Sequence, residues 1–248
     1  THYLGEHFDI HCGGVDNIFP HHENEIAQSC ASSGKAFVNY WLHNEHLLVD
    51  NQKMSKSIGN FYTLRDLIDK KCSAGAIRYT LISTHYRSKL NFTLEKVKNS
   101  QKSINKLFEL KRRLTLINKD NDSDIHGSAA DEMLSGFSKK LGDDLNISGA
   151  LGELFIWVND TFSKLDHDEI NYSNAQKALS ALMEVDQVLG VMEIEQGECD
   201  DSIQSLIYKR SQARKARDWE EADVIRKQLD GLGIILKDTP EGTIWKKK

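Results

Sequence analysis

Two stretches of the sequence hold side chains whose types and spacing suit chemistry. The first is Lys53-Met54-Ser55-Lys56-Ser57, followed by Ile58-Gly59-Asn60. Two ammonium groups on a mobile, polar tract can follow negative charge as it builds on a departing phosphate group. A bare pair of lysines at this spacing is more often a solvated surface loop, so the weight rests on the whole pattern. The second stretch runs Phe8-Asp9-Ile10-His11, Gly13-Gly14, Asp16, and then Phe19-Pro20-His21-His22-Glu23-Asn24-Glu25. Proline suits the first position of a helix, where its missing N–H has no intrahelical partner. On a helix begun by Pro20, His21 and Glu25 stand at i and i+4 on one face and can hold one metal ion. The plainer reading of the same residues is a charged helix start in water. Gly13 and Gly14 permit close backbone approach to a ligand, and Asp16 could hold a ribose or an amino group. Here the plainer reading is a tight turn.

These residues need elements to position them. His7 to Cys12 alternate like a strand that runs into the glycine pair at an α/β sheet edge. The helix from Pro20 extends to about Cys30, and Ser32-Ser33-Gly34 closes it. Residues 36–50 give two short strands around a polar middle, followed by an exposed polar loop, 51–61, that carries the lysines. Thr63 is expected to cap a helix over 64–71, and 74–86 reads as helical. Apolar stripes then mark bundle helices: Ile104, Leu107, Phe108, Leu114 and Ile117; Leu151, Leu154, Phe155, Val158, Phe162 and Leu165; Leu179, Leu182, Met183 and Leu189. The polar tract 119–131 reads as a long loop and 193–201 as an acidic linker. After it come a helix over 202–217, a second with Trp219, Ala222, Ile225, Leu229 and Leu232 in phase, and a hairpin. The expected segments are 1–50, 51–100, 101–195 and 202–248.

At 248 residues more than one structural unit is expected, and 39% hydrophobic with 28% charged residues lies outside the disorder range. Pro20 and Pro240 are the only prolines, which favours long helices. No apolar run reaches the length of a membrane span, and Cys12, Cys30, Cys72 and Cys199 show no disulfide framework, so a cytoplasmic setting without membrane is expected. The chain opens at Thr1 directly into strand-like sequence and reads as a piece of a longer protein. Residues 1–119 hold 17 basic and 11 acidic groups, 120–201 hold 4 and 19, and 202–248 hold 11 and 7. Two basic regions flanking an acidic one suit a polyanion touched at two places, although solvated helix faces give the same count.

The Lys53–Ser57 tract matches the KMSKS signature of class I aminoacyl-tRNA synthetases. Together with FDIH, the glycine pair, Asp16 and FPHHENE, it resembles the cysteinyl-tRNA synthetase family specifically. That resemblance implies a mainly α chain with an α/β remnant: the end of a Rossmann-like catalytic domain, a helical bundle, and a small mixed anticodon-binding domain. It implies an enzyme, a monomer, that activates cysteine with ATP and Mg2+ as cysteinyl adenylate, then transfers it to the tRNA for cysteine. Lys53 and Lys56 would be catalytic, with Lys56, His11, Gly13, Gly14 and Asp16 on ATP. His21 and Glu25 would hold Zn2+ with two cysteines expected upstream of Thr1. Cys12 stands where the family has glycine and is not promoted to ligand.

In the terminal segment the resemblance implies anticodon reading. Arg214, with Lys215 and Arg217, would meet phosphate, Trp219 would stack on a base or pack in the core, and Asp223 and Asp238 could accept from a guanine edge. The basic run Lys111, Arg112, Arg113 is a phosphate contact or a solvated face. Because the HIGH motif of the family is not in the chain, two alternatives stand beside the ligase: a catalytically inactive tRNA-binding module, and the related cysteine ligase of amino-sugar inositol thiol biosynthesis.

Overall fold

The computed structural model describes residues 2–55, 57–118, 129–192, 206, 209–210, 212–214, 218–239 and 242–247, with side chains of the terminal hairpin described at 234 and 236 only. The chain divides into two compact units, Thr1–Met192 and Glu193–Lys248. The first takes in the three N-terminal segments expected from the sequence, apart from the last residues of the third.

Strand β1 (Phe8–Gly14) leads through helix α1 (Glu23–Ser33) to strand β2 (Val38–Asn44), which pairs with β1 in parallel. A parallel pair needs such a crossover because the chain must return to the end at which it started. Gly13 sits opposite His43 and Gly14 opposite Asn44, so these four residues share the carboxyl end of the pair. Among the described residues no third strand joins this sheet. Ile10 and Tyr40 are 54% and 66% exposed, and α1 buries none of its residues. Parallel sheets are ordinarily covered on both faces.

Strands β3 (Leu47–Val49) and β4 (Gln52–Lys53) form a hairpin around Asp50 and Asn51, whose φ angles are 49° and 65°. Asp and Asn tolerate the left-handed conformations that a two-residue hairpin turn demands. Strand β5 (Leu90–Phe92) pairs in parallel on the other side of β3. Lys53 therefore belongs to a strand rather than to a free loop, because the Asp50-Asn51 turn folds it back on Leu48.

Helix α2 (Leu64–Asp69) begins as expected at Thr63. The Thr63 hydroxyl accepts from the Asp66 N–H at 3.2 Å, and the Asp66 carboxylate accepts from the Thr63 N–H at 2.7 Å. This reciprocal arrangement satisfies donors that a helix start leaves open. Helix α3 (Ala74–Ile82) stops at Ser83, short of the expected end. Beyond it the chain turns towards Asp144: the Tyr86 hydroxyl donates to Asp144 Oδ1 at 2.5 Å and Arg87 Nε lies 2.7 Å from Oδ2. The Tyr86 hydrogen bond holds the Asp144 carboxyl below the usual range, with Arg87 adding to it.

Helices α4 (Leu94–Thr115), α5 (Ala129–Leu141), α6 (Ile147–Asp166) and α7 (Tyr172–Leu189) build the bundle. Ile104, Leu107, Leu110 and Leu114 of α4 share one buried core with Leu151, Leu154 and Val158 of α6 and with Ala178, Leu182 and Val185 of α7. Among the described residues, β1, β2 and α1 contribute nothing to that core. Helix α4 starts earlier than its apolar stripe suggested, because Thr93 caps it by accepting from the Lys96 N–H. Helix α5 begins inside the tract read as loop, with Met133 and Phe137 one turn apart as its buried face; residues 119–128 of that tract lie outside the described residues. Met183 is on the expected stripe yet 39% exposed. At the end of α7 the buried Asp186 carboxylate accepts from the N–H groups of Val191 and Met192, both at 2.9 Å.

In the second unit, helix α8 (Trp219–Gly231) precedes the antiparallel hairpin of β6 (Ile234–Thr239) and β7 (Gly242–Lys247). Ile225, Leu229 and Ile234 form its buried centre. The linker at 193–201 lies outside the described residues, as do Lys215 and Arg217; the described positions 206, 209–210 and 212–214 are helical.

Candidate functional site

The carboxyl end of a parallel strand pair is where open α/β sheets bind ligands, since the helix that follows leaves a crevice there. In this chain β1 delivers His11, Gly13 and Gly14 to that end, and β2 delivers His43. Between β1 and α1 the chain makes a 3₁₀ turn, Val15–Asn17, and then a π-type turn, Ile18–His22, in which Phe19 is non-helical. The regular helix starts only at Glu23. Apart from Phe19 the π-type turn has helical φ/ψ, so His21 and His22 run directly into α1.

His22 is buried, while His21 is exposed. Donor atoms of His11, His22 and Glu25 lie within 4.8 Å of one another, and His11 Nε2 is 2.7 Å from Glu25 Oε2. The expected pair of His21 with Glu25 assumed an α-helix running from Pro20. Among the described residues the metal-capable cluster contains Glu25 with His11 and His22 instead. Two imidazoles and a carboxylate are a fitting donor set for a borderline-soft divalent ion. Glu25 Oε2 is buried and makes no well-aligned hydrogen bond, as a ligand atom would.

His22 Nδ1 is 2.8 Å from His43 Nε2, a hydrogen bond that fixes the ring's orientation, as outer partners of ligating histidines do. Trp41 packs against both His11 and His22 with ring centroids 4.9 Å away, and lies parallel to His43 at 6.0 Å. Burial pushes the His43 imidazole below its ordinary pKa, and the nearby His22, His11 and Arg87 act in the same direction. Gly13 is explained by the same cluster. A Cβ there would stand 2.6 Å from His22 Cε1 and 2.9 Å from Nε2, so a side chain would displace the ring. Gly14 and the exposed Asp16 follow at the strand end. His22 and His43 were missed from the sequence. His22 had a signal in the doubled histidine of FPHHENE, whereas His43 joins only through the parallel pairing of β2 with β1.

The signature loop leaves β4 at Lys53, whose side chain is exposed. Ser55 Oγ and Ser57 Oγ are 2.7 Å apart, and the Ser57 N–H donates to Ser55 Oγ at 3.3 Å. Lys56, expected to be catalytic and to touch ATP, lies outside the described residues. Cys12 is exposed and stands outside the histidine cluster, while Cys30 and Cys72 are half-buried; Cys199 lies outside the described residues.

In the second unit Trp219 is 60% exposed at the start of α8, so its ring is not a core residue. Arg214 is half-buried. Asp223 lines a cleft with Arg226, Lys227, Asp230, Ile234 and Leu236. Asp238 is placed on β6 opposite Thr243, and its side chain lies outside the described residues. The basic run of α4 is engaged in ion pairs: Arg112 with Glu109 at 2.7 Å and Arg113 with Asp166 at 2.5 Å.

Comparison with known proteins bears on both units. The family described as tRNA synthetases class I (C) catalytic domain matches residues 1–102, and the cysteinyl-tRNA ligase anticodon binding domain matches residues 196–245. The cysteine–tRNA ligase of Brachyspira hyodysenteriae is 47% identical over 99% of the chain and 53% of its own length. Those of Protochlamydia amoebophila and Solibacter usitatus are 42% and 45% identical over 100% and 99% of the chain. The chain spans about half the length of the curated relatives it matches. In structure it is similar to the LeuRS of Agrobacterium radiobacter K84, solved in a ternary complex with tRNA and LeuAMS, at a TM-score of 0.55 and 15% identity over 74% of the chain and 26% of that protein. That likeness concerns the fold. Among the described residues no helix is long and apolar enough to cross a membrane.

Proposed function

The chain belongs to the cysteine–tRNA ligase family, and from that premise we propose that it provides the second half of an enzyme that activates cysteine with ATP and transfers it to the tRNA for cysteine. The observation that carries this reading is the placement of two chemistry-bearing features in one unit: the signature loop on β4 and the His11, His22, Glu25 cluster at the strand end. The related inositol-thiol ligase has no need of an anticodon reader, and the match over 196–245 favours a tRNA partner.

In this reading Lys53 and Lys56 meet the negative charge that develops as pyrophosphate leaves, an interaction made chiefly in the transition state. ATP would arrive with Mg2+. Gly14, at the strand end, and Asp16, just beyond it, would face the nucleotide and cysteine. His11, His22 and Glu25 would hold zinc, with His21 a further donor implied by the family pattern. Zinc, when bound, prefers a thiolate to a hydroxyl, which separates cysteine from serine more sharply than an apolar pocket could. His43 orients His22. Trp41 packs on both rings and helps to hold them in place.

The test is a chimera in which this chain replaces the corresponding half of the Brachyspira hyodysenteriae relative. Cysteine-dependent exchange of pyrophosphate into ATP, with little exchange for serine, is expected. A folded chimera without exchange would overturn the reading.

Trp219 is the residue for the tRNA end. Its exposed ring is available to stack on an unpaired base, and Trp219→Ala should weaken binding of the tRNA for cysteine by about 1–3 kcal/mol. Binding to an unrelated tRNA should change far less, and circular dichroism should stay the same. Equal losses for both tRNAs would remove Trp219 from anticodon reading.

A further inference from the structure

We propose that Asn60 is a positioning residue for the first step of the reaction: its side-chain amide closes the signature loop and so fixes where Lys53 starts from. The inference rests on the ligase reading above and extends it to a residue outside the lysine pair. Asn60 Oδ1 accepts from the Ser55 N–H at 2.8 Å, and Asn60 Nδ2 donates to the Lys53 carbonyl at 3.2 Å. One amide thus ties two backbone groups on the outgoing arm of the loop, using its acceptor and a donor together. A primary amide offers both on one planar group, and Gln would carry them a methylene further out.

The chain is shaped to bring Asn60 there. Gly59 has φ 73°, a conformation that residues with a Cβ rarely adopt, and nothing lies within 4 Å of where a Cβ would stand. Glycine is therefore needed for the reversal of direction and not for space. The other end of the arm is held in the same manner. The Asn51 N–H donates to Asn91 Oδ1 at 2.8 Å, and Asn91 Nδ2 donates to Asn51 Oδ1 at 2.7 Å, so the turn that feeds β4 is fastened to β5. Between these two fastenings the backbone of Lys53 is held while its side chain remains exposed.

This division suits a lysine that must reach a charge present only briefly. A free loop would have to lose backbone freedom in every turnover. With Asn60 in place, that ordering is already complete around Lys53. The chemical consequence is confined to adenylate formation, because pyrophosphate has departed before the cysteinyl group moves to tRNA.

The experiment uses Asn60→Ala and Asn60→Asp in the chimera described above, together with the same changes in this chain. In the chain, the Ser55 amide should lose protection from hydrogen exchange in Asn60→Ala and retain it in Asn60→Asp, which keeps the acceptor. In the chimera, Asn60→Ala should lower kcat for pyrophosphate exchange roughly 10- to 100-fold, the range expected when a reacting group is displaced by about an ångström. The KM for cysteine should change less than about twofold, as for an interaction made only in the transition state. Transfer from preformed cysteinyl adenylate to tRNA should proceed at the unmutated rate. Asn60→Asp should also be slow in exchange, since it loses the donor to the Lys53 carbonyl. Undiminished exchange in Asn60→Ala would overturn the proposal. So would an equal loss in transfer, which would mark a general loss of structure. An unmutated chimera without exchange would instead count against the ligase reading itself, while the Ser55 amide would still report on the clasp.

Discussion

Alanine in place of Lys53 should slow cysteine-dependent pyrophosphate exchange in the completed enzyme about 10²- to 10³-fold, the loss typical of removing one group aimed at transition-state charge. The reason lies in where the side chain stands. It is exposed on a strand end, where water screens an ammonium well, so it adds little to binding of the ground state. In the ligase reading its contribution would grow as charge builds on the departing pyrophosphate and water is excluded. The loss should therefore fall on kcat, with the KM for cysteine nearly unchanged. The same change at Lys56 should behave alike, and the double variant should lose less than the product of the two if both act on one charge. An unchanged turnover number for Lys53→Ala would remove it from the pyrophosphate role, and a loss confined to KM would indicate uniform binding.

Leu154→Ala should destabilise the first unit by roughly 2–5 kcal/mol, the span observed for truncating a fully buried leucine. Leu154 has no exposed surface and lies in the same core as Leu110 and Leu114 of α4 and Val158 of α6, each likewise fully buried. Four-helix packing leaves little freedom to close the gap, so the upper half of the range is expected. A urea titration followed by far-UV circular dichroism would give the value from the shift in midpoint at constant slope. A loss below about 1 kcal/mol would mean that the bundle relaxes around the hole instead of holding its shape.

Much of this architecture was legible because the bundle obeys a simple period. The stripes of α4, α6 and α7, Met183 apart, place their apolar residues towards the core, and Thr63 announces α2 through a local hydrogen-bond pattern that needs no distant partner. What escaped was decided by context. Helix α5 starts in polar sequence, and its two large buried residues are too few to outweigh the charged neighbours in a periodicity argument. The β3–β4 hairpin rests on Asp50 and Asn51, a turn signal hidden beside the more arresting lysine tract. At the candidate site the sequence singled out His21 with Glu25, whereas the structure gathers His11 and His22 around Glu25. His22 is buried and His21 exposed, and which of two adjacent histidines turns inward depends on what packs over them, here Trp41 and His43 of β2. His43 belongs to the cluster only because β2 is parallel to β1, a pairing that spacing along the chain does not encode. Gly13 was legible as a point of close approach, but the group that approaches is the ring of His22.

The paired strands β1 and β2 keep two outer edges, each a row of backbone donors and acceptors among the described residues without a neighbouring strand. Such an edge accepts whatever extended chain reaches it first. With Ile10, Phe19 and Tyr40 exposed around it, the same surface also attracts apolar groups. For anyone concentrating this chain, the consequence is colloidal: crowding favours strand-to-strand contact between molecules, and a soluble protein carrying a complementary strand competes with that contact. The helical bundle also exposes apolar side chains, Ile156 and Val188 among them, but its backbone groups are paired within its helices and give no such edge.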